Sequence, residues 1–584
     1  MTNLEIADAL DRLADLLQVE RENPFKVRAF RRAARTVEGY PQPMARLLAA
    51  GGDPTLLPGV GKEIAACIRE LVTTGQLARL QVLERNAPPS LLELQRLPGL
   101  GPKRARLVWD KLGVATLEEL EAASRDGRLA TLPGFGEKTA TRLLAALAEK
   151  RTTGRRLLLP TAALILDELL PHLRAVPGVM RAEAAGSFRR RLETVGDLDV
   201  VVASTDAPRA LSAFTGWHRT ARVEGAGDTR ATIVLRRGAQ VDLRVVPPES
   251  FGAAWIYLTG SKAHNVALRA LAVRRGWKLS EWALFDQRHQ KGGRDDSGAR
   301  LAGASEEEVY AALGLAWVPP ELREDVGELE AAAAGTLPDL VRLEQLRGDL
   351  QMHTTWSDGR ASVGTMVAAC ADRGYAYCAI TDHGPGLPVV QGLDAVALRA
   401  QHAEIAEAQA RHPEIRVLRA LELDLLGDGA LALADEALGR LDVVLAAVHT
   451  RLKLPRDEQT RRYLRALDHP RVAILAHPTA RRLGMRGPVD ADWPAILQRA
   501  AARGVAIEAN ASPERLDANG DLLRQAKAAG CRVVISTDAH RVRELDNLRW
   551  GVDQARRAGL EAGDVLNTLP LQELLAALRV PPRP

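Results

Sequence analysis

The sequence predicts a multidomain chain of mixed α+β and α/β class: helical hairpins first, a short-stranded α+β region with helices next, and a distorted βα barrel last. Three observations lead there. A Pro-Gly-x-Gly turn recurs three times in helix-patterned sequence before residue 150, Val-rich strands carrying acids follow between 185 and 246, and from 346 onward apolar strands alternate with helices, with His, Asp or Glu at the strand ends.

Length permits several cores. At 584 residues the chain is well beyond the roughly 100–200 residues of a typical domain, and 46% apolar with 26% charged residues suits a globular protein and excludes a fibrous or disordered one. The expected units are 1–80 and 81–150, both helical, then 151–250 with the strand acids, 251–318 with further helices, an acidic linker at 319–345, and the barrel at 346–576. Cys67, Cys370, Cys378 and Cys531 form no Cys-x-x-Cys pair, which excludes a thiolate zinc finger and fits a reducing compartment. With no basic-then-apolar leader and no apolar run of roughly 18 residues, a cytoplasmic protein without a membrane partner is expected.

Charge is uneven. Residues 151–300 hold 24 Lys and Arg against 15 Asp and Glu, whereas 301–345 hold 2 against 10. A basic block suits a polyanion, because neutralising phosphates releases counterions.

The repeat reads Leu57-Pro58-Gly59-Val60-Gly61-Lys62, Leu97-Pro98-Gly99-Leu100-Gly101-Pro102-Lys103 and Leu132-Pro133-Gly134-Phe135-Gly136-Glu137-Lys138. Each predicts helix, tight turn, helix, with glycines that permit positive φ and a close backbone approach. The N–H groups opening the next helix, with Lys62, Lys103 and Lys138 nearby, make an anion site. One copy could simply close a hairpin; three resemble the helix-hairpin-helix motif, which implies grip on the DNA sugar-phosphate backbone without reading of sequence.

In the middle, Ala185-Gly186-Ser187-Phe188-Arg189-Arg190 precedes Gly196-Asp197-Leu198-Asp199-Val200. Asp197 and Asp199, two apart on a strand, share a face and can share hard cations. Asp242 follows on another strand, Gln240-Val241-Asp242-Leu243, giving the three carboxylates a two-cation phosphoryl-transfer centre needs. The Gly186-Ser187 turn and Arg190 suit a triphosphate tail.

This segment resembles the palm of DNA polymerase beta and its family X relatives. Tyr257-Leu258-Thr259-Gly260-Ser261-Lys262-Ala263-His264-Asn265, ending in Arg269, is similar to the family's nucleotide pocket, so a palm and thumb are expected over 151–318. The resemblance implies that Asp197 and Asp199 bridge two Mg2+ or Mn2+ ions and that Asp242 binds the catalytic one. It implies Gly186, Ser187, Arg190 and Gly196 around the triphosphate, Tyr257, Leu258, Thr259 and Gly260 along the sugar, and Asn265 and Arg269 beside the base pair. Where the family's beta branch has a Schiff-base lysine this chain has Cys67, so lyase chemistry by that route is expected to be weak or absent unless Lys62 or another amine substitutes.

In the last third the strand-end residues are His353 and Asp358, His383, Glu422, His449, His477, then Asp538 and His540. A position after a barrel strand is where βα loops build sites, and imidazoles with carboxylates but no thiolate suit Mn2+, Zn2+ or Fe. The order resembles the PHP (polymerase and histidinol phosphatase) domain, which implies up to three ions and phosphoester hydrolysis by a metal-activated water. Gln351 stands where the family usually has its first histidine. A PHP domain behind a family X polymerase is the bacterial architecture of that family, which implies a gap-filling repair polymerase with 3′–5′ exonuclease or 3′-end processing, acting on gapped or primed DNA and deoxynucleoside triphosphates as a monomer. Two alternatives stay open: a polymerase whose PHP domain is structural or only binds DNA, and a nucleotidyltransferase for tRNA or a small molecule, which would leave the hairpins unexplained.

Overall fold

The computed structural model describes residues 3–20, 22–38, 44–49, 51–57, 59–86, 94, 97, 100, 102–136, 139–141, 143–144, 156–236, 238–288, 298–386, 390 and 392–580. By its contacts the chain divides into two units, 1–154 and 155–584.

The first unit is helical. Its helix Asn3–Val19 buries Ile6, Leu10, Leu13 and Leu17, spaced four, three and four apart so that one stripe faces the core. Phe30 from helix Pro24–Glu38, Ile68 from helix Lys62–Thr74 and Phe135 join the same apolar cluster. The element entering the first and third glycine turns is a single 3-10 turn, Pro54–Leu56 and Leu129–Thr131, rather than the expected α-helix. In the first copy the cause is local: Asp53 caps Thr55 N–H at 3.0 Å and Pro54 starts the turn.

The second unit opens with a short antiparallel pair, β1 (Leu157–Leu158) and β3 (Thr194–Val195). Around it lie β2 (Val179–Ala184), β4 (Asp197–Ser204), β5 (Thr220–Ala226), β6 (Arg230–Leu235) and β7 (Gln240–Val246). These last five form one sheet in the order β2-β4-β7-β6-β5, with β4 and β7 parallel and the other pairs antiparallel. Helices Leu159–Arg174 and Ala207–Thr215 add to its apolar core. Helices Phe251–Thr259, Lys262–Arg274 and Glu306–Ala312 follow, with a small antiparallel sheet of β8 (Trp277–Leu279), β9 (Leu284–Asp286) and β10 (Ala299–Ala302).

The stretch expected as a linker, 319–345, is instead packed. Leu322, Leu329 and Leu340 are buried in the core of the preceding helices, and three of its acids, Glu321, Glu324 and Glu328, are bound to bases. Glu321 takes Arg556 at 2.7 Å, Glu324 takes Arg190 and Arg557, and Glu328 takes His264 at 2.6 Å.

The last third is a parallel sheet of seven strands in chain order: β11 (Gly348–Asp349), β12 (Tyr377–Ile380), β13 (Arg416–Asp424), β14 (Val443–Ala447), β15 (Val472–Leu475), β16 (Ala506–Asn510) and β17 (Val533–Ser536). Most of their residues are buried, as expected of strands with both faces covered. The sheet nearly closes, with a single parallel bridge from Met352 to Ala539. The Asn567 amide stitches the seam, donating to the Gly348 and Ile535 carbonyls and accepting from Ile535 N–H, and Asp349 accepts N–H from Thr537 at 3.1 Å. Among the described residues no helix is long and apolar enough to cross a membrane.

One buried ion network ties several of these elements. Glu306, 2% exposed, accepts two hydrogen bonds from Arg189 (2.6 and 2.8 Å), two from Arg323 (2.8 and 2.9 Å) and one from Trp317 Nε1 (2.8 Å). Burial alone would raise its pKa, but the two guanidinium groups hold it far below the carboxylate range. Glu306→Ala leaves both arginines buried and uncompensated, so the 155–584 unit should lose about 3–5 kcal/mol. The expected readout is a lower denaturant midpoint of tryptophan fluorescence; an unchanged midpoint would show that the network does not hold these elements together.

Candidate active sites

The five-stranded sheet brings its three acids together. Parallel pairing sets Asp199 directly opposite Asp242, with Asp197 two residues earlier on the same face of β4. Asp242 is aimed by Thr232 Oγ1 (2.5 Å) and Gln240 Nε2 (2.8 Å). Burial first, then Asp197 and Asp242, lift the Asp199 carboxyl to about 7 against the pull of Arg190. Like charges crowded this way are what bound cations relieve, and oxygen-only donors suit Mg2+ or Mn2+.

Gly186 has to be glycine: it lies at φ +60°, and an added Cβ would fall 2.0 Å from Asp199 Oδ2. Ser187 is in the one-turn helix Gly186–Arg189, and Gly196 directly precedes Asp197. Arg190 Nε meets Glu324 Oε1 at 3.2 Å and Nη1 donates to the Thr259 carbonyl, while Nη2 has no partner among the described residues.

The 257–269 segment sits beside this group. Thr259 is buried and its Oγ1 accepts from Arg189 Nη1 at 2.8 Å, Gly260 follows at φ +67°, and half-exposed Tyr257 lines a small cleft with Asn265, Arg269 and Ser280. Asn265 Nδ2 donates to the Tyr257 carbonyl (2.8 Å), leaving Asn265 Oδ1 buried without a partner, and Arg269 Nε donates to the Asn265 carbonyl (3.2 Å). Leu258 lies on the same helix.

Of the hairpin residues, Gly59 (φ +78°) and Gly134 (φ +82°) occupy left-handed turns, Gly61 is the N-cap of helix Lys62–Thr74 without a side-chain cap, and Gly136 O accepts N–H from Thr139 (2.8 Å). Gly99, Gly101 and Lys138 lie outside the described residues, as does the Lys103 side chain.

The barrel gathers all eight of its expected ligands. Three groups have ligand atoms within 4.8 Å of one another: His353, Asp358, His383 and His540; His383, Glu422 and His449; and His353, Glu422 and Asp538. His477 Nε2 reaches Glu422 Oε1 at 2.7 Å. Glu422 is the hub, 3.3 Å from both His353 Nε2 and His383 Nδ1 and 3.2 Å from His449 Nε2. Both nitrogens of His353, the Nδ1 atoms of His383, His449 and His477, and Glu422 Oε2 are buried without a hydrogen-bond partner. Donor atoms that face one another without bonding fit a polynuclear metal centre of nitrogen and oxygen ligands. His477 (φ +26°) and Asp538 (φ +55°) sit in left-handed backbone, strain that clusters at functional sites.

Sequence reasoning missed the supporting shell. Asp382 accepts Thr354 N–H (2.7 Å), Thr354 Oγ1 (2.6 Å), Ser357 Oγ (2.6 Å) and Gln401 Nε2 (2.7 Å), and Asp424 accepts His449 N–H (2.7 Å). Each was legible as an acid beside a ligand, next to His383 and two residues after Glu422. Glu508, fully buried and pushed up by burial and then by Asp538, accepts His477 N–H at 2.6 Å. Arg515 Nε lies 3.4 Å from Asp538 Oδ2. Nothing in the local pattern marked those two.

Comparison with known proteins agrees with this geometry. The chain matches the models of a helix-hairpin-helix domain over residues 1–77, a SAM-like helix-hairpin-helix tandem over 91–149, the DNA polymerase beta thumb over 254–324 and the PHP domain over 349–510. It is 34% identical over 581 residues to the "DNA polymerase/3'-5' exonuclease PolX" of Bacillus subtilis (strain 168), spanning 99% of this chain and 100% of that protein. To DNA polymerase lambda of Rattus norvegicus it is 26% identical over 343 residues, 55% of this chain and 56% of the relative. To that of Arabidopsis thaliana it is 27% identical over 294 residues, 46% and 53%. Fold and sites thus define a DNA polymerase joined to a metal-dependent phosphoesterase-type barrel. Full-length similarity then places the chain plainly: it belongs to the family X DNA polymerases that carry a PHP domain.

Gln351 is the departure within the barrel. It is fully buried, two residues before His353 on the same extended segment, and both its Oε1 and Nε2 lack partners. An amide oxygen is a poorer ligand than imidazole for a borderline cation. Gln351→His is expected to raise the Zn2+ retained per chain after dialysis, measured by elemental analysis; no gain would place position 351 away from any metal position.

Proposed function

We propose that this chain fills short gaps in DNA during repair and trims or cleans 3′ ends, using the sheet carboxylates for synthesis and the barrel cage for hydrolysis. The observation that carries the reading is the Asp199–Asp242 register, which packs three carboxylates onto neighbouring parallel strands and leaves the Asp199 carboxyl lifted to about 7. The helix-hairpin-helix turns, through Gly59, Gly61, Lys62, Gly99, Gly101, Lys103, Gly134, Gly136 and Lys138, hold the DNA backbone. Gapped or primed DNA and deoxynucleoside triphosphates are the partners, and a cytoplasmic monomer is the simplest form.

In synthesis Asp197, Asp199 and Asp242 would hold two divalent cations, Mg2+ or Mn2+, which when bound would supply charge neutralisation at the phosphates and acidity at the primer 3′-hydroxyl. Asp242, fixed by Thr232 and Gln240, is aimed to favour loss of that proton. Ser187, Gly186, Gly196 and the open Nη2 of Arg190 hold the triphosphate. Tyr257, Leu258, Thr259 and Gly260 line the sugar, and Asn265 and Arg269 face the nascent pair. The primer oxygen attacks the α-phosphate in line, and pyrophosphate leaves.

In hydrolysis His353, Asp358, His383, Glu422, His449, His477, Asp538 and His540 would hold up to three ions, Mn2+, Zn2+ or Fe, whose chemistry when bound would be activation of water against a phosphoester. Asp382, Asp424 and Glu508 keep these ligands in place through the bonds described above. The orphaned Gln351 amide supports a second reading, in which the barrel binds metal weakly and serves structure or DNA binding. Cys67, at the family's Schiff-base position, is buried, and burial, then Glu63, raises its thiol pKa, so no amine nucleophile stands there.

Primer extension on a one-nucleotide gap separates the readings. Asp197→Ala/Asp199→Ala is expected to cut templated extension about a thousandfold or more while 3′ degradation continues. His353→Ala and Asp538→Ala should do the reverse. If they degrade 3′ ends as fast as the parent, the barrel is not the nuclease.

A further inference from the structure

The loop that carries the proposed triphosphate ligands is held from the barrel. Helix Leu548–Arg557 follows the last barrel strand, yet its Trp550, with Leu516, lies buried in the apolar core of the five-stranded sheet. From this helix Arg557 Nη1 donates to the Arg190 carbonyl at 2.7 Å and reaches Glu324 Oε1 at 3.1 Å. Gln554 Nε2 donates to the Arg191 carbonyl at 3.0 Å, and Asp553 pairs with Arg191 at 3.5 Å. Arg191 itself lies at φ +60°, a conformation a side-chain-bearing residue keeps only when its surroundings enforce it.

Arg557 is 6% exposed, and the absence of a side chain at Gly520 clears its path: a Cβ there would come within 2.8 Å of Arg557 Cβ. Electrostatics give the contact a consequence. Glu324 faces two guanidinium groups, Arg190 Nε at 3.2 Å and Arg557 Nη1 at 3.1 Å on the same oxygen. One carboxylate shared by two guanidinium groups binds Arg190 less closely than it would alone, and leaves that side chain beside the Gly186 turn. Without Arg557, Glu324 would pair with Arg190 alone and draw its side chain off, and the Arg190 carbonyl would lose its donor.

We propose that Arg557, a residue of the barrel domain, is a positioning residue for nucleotidyl transfer: by sharing Glu324 and anchoring the Arg190 carbonyl, it keeps Arg190 from being drawn wholly onto Glu324 and leaves it aimed for the incoming triphosphate. The proposal rests on the reading of Arg190 as a triphosphate ligand. It makes the barrel part of the polymerase's nucleotide site whatever the barrel hydrolyses.

The test is single-nucleotide gap filling by the full chain, with KM for the deoxynucleoside triphosphate and kcat measured separately, and 3′ degradation and thermal unfolding followed on the same preparations. Arg557→Ala should raise KM about tenfold, one decade of affinity, with kcat within about twofold of the parent and 3′ degradation unchanged, and with an unfolding temperature that falls but stays well above the assay temperature. Arg557→Lys should recover part of the loss. Glu324→Gln placed in the Arg557→Ala background should lower KM again, because the carboxylate that competes for Arg190 is gone; a purely structural role would not respond in that direction. If Arg190→Ala raises KM and Arg557→Ala does not, the positioning role is overturned. If Arg557→Ala lowers both activities together with the unfolding temperature, Arg557 is a structural strut and the proposal is equally overturned. If Arg190→Ala itself leaves KM unchanged, the triphosphate reading of Arg190 fails, which separates that failure from the other two.

Discussion

A carboxylate cannot stay ionised inside a protein without positive charge or hydrogen-bond donors beside it, and the 155–584 unit is organised by where it supplies them. Glu306 receives its compensation in full, from Arg189, Arg323 and Trp317, and accordingly acts as a fixed post between helices. Asp199 receives almost none: its neighbours are two more carboxylates, with Arg190 the opposing influence, and its carboxyl is pushed up to about 7. Glu422 lies between these cases, ringed by imidazoles that contact it without satisfying all its oxygen lone pairs. The same functional group is structural in the first setting and poised for cations in the other two. The difference is made by the neighbours each carboxylate meets in the fold.

That distinction explains what was legible in the sequence. Asp197 and Asp199 could be read because strand periodicity fixes a shared face, and Asp242 because an acid inside an apolar strand is costly without a purpose. The grouping of the eight expected barrel ligands could be read because they lie at or soon after apolar strands, Asp358 in the loop beyond the first, and the barrel's topology brings strand ends together. Glu508 and Arg515 could not: one looks like any strand residue, the other like any loop arginine, and only the folded geometry sets them against His477 and Asp538.

The acidic stretch 319–345 shows the opposite failure. Ten acids against two bases over 301–345 suggested a domain linker with some helix, but Glu306, Glu321, Glu324 and Glu328 each meet a base from outside that window: Arg189, Arg556, Arg190 with Arg557, and His264, while Arg323 within it also binds Glu306. Composition within a window says nothing about partners outside it. The basic excess of 151–300 is likewise partly internal: some arginines counted there as a polyanion face are bound to these acids, so the charge left for DNA is smaller than the tally suggests.

These pairings also bear on how two chemistries share one chain. A barrel joined by a loose linker could swing, carrying its site to a 3′ end held by the polymerase. Here the supposed linker is buried, Trp550 and Leu516 are counted in the core of the nucleotidyl-transfer sheet, and Arg481 Nη1 reaches Glu193 Oε1 at 3.1 Å beside the nucleotide loop. Parting them would expose apolar core and leave several charges unpaired at once, a cost unlike that of the small polar interfaces across which domains ordinarily move. Within the 155–584 unit the two sites are therefore fixed in relation to each other. If one 3′ end is trimmed and then extended as proposed, this arrangement puts the movement on the DNA end rather than on the barrel.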